Sequence, residues 1–138
     1  MNELTRRCLS LNRQSREHLI KVLQESLEKK EAYDGKRFQT LYDIATEMFG
    51  KGILTSLRDF EIVLGRRFIA YQMREEGYSF MTIGRHLIRH HSSVMHMCRM
   101  MEGIFNYPWM FQLEMAYWEE FQNKLKEHDT NSRTNQGS

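Results

Sequence analysis

Proline is nearly missing: Pro108 is the one residue in 138 whose ring would break a helix interior. Eight glycines are thinly spread, and with ten methionines the composition argues for an all-α chain. Cysteine is scarce as well. Cys8 and Cys98 build no disulfide framework and read as reduced thiols of a cytoplasmic protein. Cys98, on an apolar helical stripe, reads as a buried structural thiol. No apolar run reaches bilayer length and no signal segment is evident, so no membrane partner is expected. Phe49-Gly50-Lys51-Gly52 lacks the spacing of a phosphate loop and its Ser or Thr after lysine. No nucleotide and no cofactor are therefore expected. The acids cluster away from the histidines and no Ser-His-Asp arrangement is apparent, so the chain is not read as an enzyme. His86, His90, His91, His96 and Cys98 could donate to a metal. However, His86 and His90 straddle a turn and Cys98 points into the core, so no metal site is expected.

The most informative absence is local. From Gly77 to Met101 there is no acidic residue, while Arg85, Arg89 and Arg99 and four histidines fall in the same stretch. Residues 51–101 carry eight Lys and Arg (Lys51, Arg58, Arg66, Arg67, Arg74, Arg85, Arg89, Arg99) against four acids (Asp59, Glu61, Glu75, Glu76). Residues 102–129 reverse the balance, with Glu102, Glu114, Glu119, Glu120, Glu127 and Asp129 against Lys124 and Lys126. A basic middle and an acidic end suit a chain that turns one face to a polyanion.

Within the acid-free stretch, Phe80, Ile83 and Leu87 form one helical stripe, and Val94, Met97, Cys98 and Met101 another. Only Ile88-Arg89-His90 separates them. Two helices joined this tightly cross steeply, which is helix-turn-helix geometry. The second helix opens on His-His-Ser-Ser, whose outward donors suit phosphates and base edges.

Elsewhere, residues 1–12 read as a loose start. A helix is expected from about Arg13 to Lys30 with Leu19, Ile20, Leu23 and Leu27 on one face, then a turn at 32–36 around Asp34-Gly35. A second helix should run from Arg37 to Phe49 and a third from Phe60 to Glu76, with a loop between them. Ser79 is a plausible N-cap for the fourth helix, the fifth begins near His91, and Pro108 suits the first turn of a sixth over about 108–127. That last helix has two apolar stripes, one with Trp109, Leu113, Tyr117 and Phe121, the other with Phe111, Met115, Trp118 and Leu125. Both need cover. Either the first helix and the core sandwich it, or one stripe forms a homodimer interface. The tail from His128 is polar and reads as disordered.

At this point a family resemblance enters. Ile83 to His96, IGRHLIRHHSSVMH, resembles the signature IGxxFGxRDHTTVxHA of the DNA-binding C-terminal domain of the bacterial replication initiator DnaA. Arg66 to Glu76, RRFIAYQMREE, is similar to the family's RQIAMYLxRE, and SLRDFEIVL stands where the family has its basic loop. The resemblance covers roughly residues 38–105 and does not extend to the ATPase domain. It implies a Trp-repressor/DnaA-like helix-turn-helix core of about six helices, with added N- and C-terminal helices. The expected segments are 1–36 packing on the core, the core itself at 37–105, a C-terminal helix at 106–127 and the tail at 128–138.

The resemblance also implies double-stranded DNA as partner. The helix from His91 would enter the major groove, with His90, His91, Ser92, Ser93 and His96 at or near bases and phosphates. Arg89 would clamp phosphate or read guanine. Arg67, adjoining Arg66, would reach the minor groove, and Arg58 would follow from the basic loop; Arg85 completes the expected set. A replication-linked or transcriptional regulatory role, carried by a phage or mobile element, follows from the same likeness. Two positions depart from the pattern. The family's aspartate is His90, and its turn glycine is Ile88, a β-branched residue costly in the left-handed conformation. The turn is therefore expected to be built differently, or Ile88 to extend the core. The rival to DNA binding is a protein-interaction module working through the C-terminal helix.

Overall fold

The computed structural model describes residues 13–136, with side chains over 17–25 and 35–132. The expected loose start and Cys8 lie outside the described residues. Among them the chain is all-α. Five helices follow one another: α1 Arg13–Phe49, α2 Phe60–Glu75, α3 Phe80–Leu87, α4 His91–Asn106 and α5 Gln112–Gln136.

Two boundaries differ from expectation. The turn at 32–36 is helical, so the first two expected helices are the single helix α1. A glycine inside a helix costs about 1 kcal/mol against alanine. Without proline, the Asp34-Gly35 pair is too weak a breaker to stop a run supported on both sides. The tail expected to be disordered from His128 likewise continues α5 to Gln136. The chain divides into two compact units within α1, one ending at Lys36 and the other beginning at Arg37. In the first, Leu19, Ile20, Val22 and Leu23 are exposed.

The second unit holds the core. The last turns of α1 bury Phe38, Leu41, Ile44 and Ala45, at helical spacing. Central to the unit is α2, which buries Ile62, Leu64, Phe68, Ile69, Ala70 and Met73. Such broad burial requires neighbours on several sides, and α3, α4 and α5 all pack on it. From α5 the core receives Phe121 and Leu125, with Trp118 half-buried. The Trp118 ring meets Phe68, Tyr71 and Phe105 edge-on at 5.1, 5.7 and 5.3 Å, and stacks near Phe121 at 5.7 Å. Offset and edge-to-face ring pairs of this kind add about 0.5–1.5 kcal/mol each beyond area burial.

The inward stripe of α5 is therefore Trp118, Phe121 and Leu125, drawn from both expected stripes. Their spacing of three and four puts these residues on one helical face. Pro108 lies in a turn closed by Met110 N–H to Tyr107 C=O, and α5 starts only at Gln112, so Trp109 stands before the helix. Trp109 and Leu113 are exposed.

A polar clasp ties the ends of the unit together. Arg37 donates from Nε and Nη2 to both Glu76 oxygens at 2.6 and 3.0 Å, and from Nη1 to Asp129 at 2.9 Å. Burial by itself would lower its pKa, but these hydrogen bonds outweigh it and hold the guanidinium charged.

Cys98 is buried, as expected, and burial raises its thiol to about 11. In a Cys8→Ser background, Cys98 should therefore resist a thiol-reactive probe at pH 8 while the chain is folded and react fully once it is denatured, read as thiol equivalents released with and without guanidinium.

Candidate nucleic-acid interface

The candidate site is built from the α3–α4 junction, the loop before α2 and the outer face of α2. Ser79 caps α3, its hydroxyl accepting from Thr82 N–H at 3.1 Å. At the other end Ile88 is left-handed, at φ 57° and ψ 49°. Arg89 N–H then reaches back to Gly84 C=O at 2.8 Å, the six-to-one bond that closes a Schellman-type helix end. This corrects the expectation for Ile88: the turn keeps the conformation a glycine would adopt, and the side chain, 67% exposed, does not join the core.

The conformation is imposed by Gly84. A Cβ there would overlap the Arg89 carbonyl oxygen and touch Val94 Cγ2, so α3 and α4 meet with backbone against backbone. So close an approach leaves the intervening residue no other path.

His90 is the N-cap of α4. Its Nδ1 accepts from Ser92 N–H at 3.2 Å and lies 2.8 Å from Ser92 Oγ. That requires a neutral ring with the proton on Nε2. The ring is thus an acceptor toward its own helix and can donate only from Nε2. The His91 ring lies 4.2 Å from that of His90, and His91, Ser92, Ser93 and His96 are all exposed.

Beside this helix start lies an open groove of about 380 Å³, lined by Val63, Arg66 and Arg67 of α2, Arg89 of the turn, and Ser92, Ser93, His96 and Met97 of α4. It has no acidic lining residue. Five of the ten expected site residues therefore share one concavity with Arg66, which lies at its base. The remaining four do not line it: Arg58 is exposed in the loop, Arg85 on the last turn of α3, and His90 and His91 at the mouth of α4.

Arg66 is the main correction among the site residues. It is 5% exposed. Its Nε donates to Ile53 C=O at 2.7 Å, and its Nη2 donates to Gly52 C=O at 3.1 Å and Thr55 C=O at 2.6 Å. The side chain is committed to holding the loop and does not reach outward. Its pKa is lowered by burial and by the neighbouring Arg89 cation. Residue 66 is four after Ile62, three before Ile69 and seven before Met73, all buried, so helical periodicity already put it on the inward stripe. Arg67, one residue on, turns about 100° away into the groove, half-buried, its pKa lowered by burial.

Arg89 is shared between the turn and the loop, donating to Ile88 C=O at 3.0 Å and also to Thr55 C=O. The Thr55 carbonyl, which nothing in the sequence singled out, therefore joins Arg66, Arg89 and the segment leading to Arg58. His86 is half-buried and stacks on Phe38 at 5.0 Å. Arg74 lies 4.2 Å over the Phe80 ring and donates to Tyr78 C=O. Among the described residues no three His, Cys, Asp or Glu side chains converge, and no helix is long and apolar enough to cross a membrane.

No protein-family model, curated protein or solved structure matches this chain.

Two substitutions separate these roles. Arg66→Met keeps length but removes three hydrogen bonds to loop carbonyls, and should cost about 2–4 kcal/mol in urea unfolding; Arg67→Met should cost under about 1 kcal/mol. Ile88→Gly removes a left-handed penalty of roughly 1–2 kcal/mol and restores part of it as chain entropy. It should raise stability by about 0.5–1 kcal/mol in the same measurement.

Proposed function

We propose that the chain binds double-stranded DNA, with the start of α4 in the major groove and Arg67 and Arg58 toward the adjacent minor groove. One observation carries the reading: the acid-free groove where Arg67, Arg89, Ser92, Ser93 and His96 meet beside a helix N-terminus. Phosphates are attracted by that charge and by outward N–H groups, and most of the affinity comes from them. Exposed His91 and the outer Nε2 of His90 are the groups placed for base edges. Minor-groove arginine responds to groove width more than to base identity. The motif resemblance to the DnaA DNA-binding domain agrees with this reading and points to a replication-linked or transcriptional regulatory role. Because His90 spends its ring on the cap, the preferred sequence would differ from that of proteins with aspartate there.

Fluorescence anisotropy with random-sequence duplex should show binding that weakens steeply and linearly in log–log form as salt rises. Arg67→Ala should weaken every duplex by about 1–2 kcal/mol and reduce the salt slope by about one. His91→Ala should instead flatten discrimination among sequences selected from a random pool. Absence of duplex binding at low salt would refute the proposal.

A further inference from the structure

A second surface lies at the other end of α4. The turn 107–111 projects Trp109 and Met110, 65% and 67% exposed, with the Tyr107 ring edge-on to Trp109 at 5.6 Å. One residue further, Phe111 enters an apolar groove between α2 and α4, shared with Phe60, Met100 and Ile104. Gly103 leaves its floor open: a Cβ there would touch nothing. The volume, about 370 Å³, has room for an indole side chain. A projecting tryptophan and an empty slot of suitable size thus stand side by side on one molecule. Arg67, Arg99 and Glu114 rim that slot, and Arg99 and Glu114 form no ion pair among the described residues.

A surface that carries a knob, a hole, a cation and an anion within a few residues is complementary to itself under a two-fold axis. We propose that this face pairs with a second copy of the chain, Trp109 of each copy seating in the Phe60–Met100–Phe111 groove of the other and Arg99 of each lying opposite Glu114 of the other. Because Trp109 and the groove share the turn at 107–111, the two exchanges close on each other and leave no free end. Six half-exposed large side chains (Phe60, Met100, Tyr107, Trp109, Met110, Leu113) would bury roughly 600 Å² per copy. That is slightly below the roughly 800 Å² per partner of a standard interface, which fits a reversible dimer. Arg67 lines both grooves, so the pairing is tested without DNA.

Sedimentation of the full chain over a micromolar-to-millimolar series should show a reversible monomer–dimer equilibrium. Trp109→Ala should weaken it at least tenfold while leaving the thermal melt at monomer concentrations unchanged, since the side chain stands outside the core. Arg99→Glu alone and Glu114→Arg alone should each be monomeric, because each sets like charges together twice. An equimolar mixture of the two variants should recover the dimer, because both charge pairs become opposite. A wild-type chain monomeric throughout, a dimer indifferent to Trp109→Ala, growth to open-ended oligomers, or a mixture that stays monomeric would each overturn the proposal.

Discussion

The contact on which the candidate interface depends is the backbone-to-backbone meeting of α3 and α4 at Gly84. With no side chain between them, the Arg89 carbonyl lies against Gly84, and the connection must turn in one residue, at a left-handed Ile88. An exposed β-branched residue accepts that strain because the buried contacts of Ile83, Leu87, Val94 and Cys98 determine where both helices lie. The turn in turn aims Arg89 at the Thr55 carbonyl, and Thr55 is also held by Arg66 from α2. Helix crossing, turn and loop are thus one constraint passed from backbone to guanidinium to backbone.

Positive charge in this chain divides into cations that hold other parts of the chain and cations that stay exposed or face the groove. Arg37 clasps Glu76 and Asp129, Arg66 holds the loop, and Arg74 covers Phe80. Arg58 and Arg85 stay exposed, and Arg67 faces the groove. Arg89 does both, bonded to the loop while lining the concavity. A guanidinium has five donors, so one arginine can satisfy carbonyls on one edge and leave the other edge for an anion. The histidines divide in the same way: His86 stacks on an aromatic ring, His90 caps a helix, and His91 and His96 remain outward.

Much of this was legible in the order of residues. The helical class, the breaks at Gly50–Asp59, Gly77–Ser79 and Ile88–His90, and the stripes of α3 and α4 follow from apolar spacing and cap residues, which are local. Arg66 could have been placed inward from the same spacing, since it falls on the stripe of Ile62, Ile69 and Met73; its charge argued the other way. What was not legible depended on distant partners. The Asp34-Gly35 pair reads as a turn until helical hydrogen bonding on both sides outweighs one glycine. Trp109 and Leu113 read as a core stripe until the packing of α5 shows Trp118, Phe121 and Leu125 turned inward, with Trp109 in the turn before the helix and Leu113 exposed on its first turn.

Sequence alone determined the all-α character, the position of the helix-turn-helix and the absence of acid along it, because propensity, capping and charge act within a few residues. Only the tertiary structure decided that Ile88 turns like a glycine and which loop carbonyls Arg66 and Arg89 hold. Each of these rests on a contact between residues far apart in the chain or on a backbone approach within ångströms, and neither is encoded by residue type at a single position.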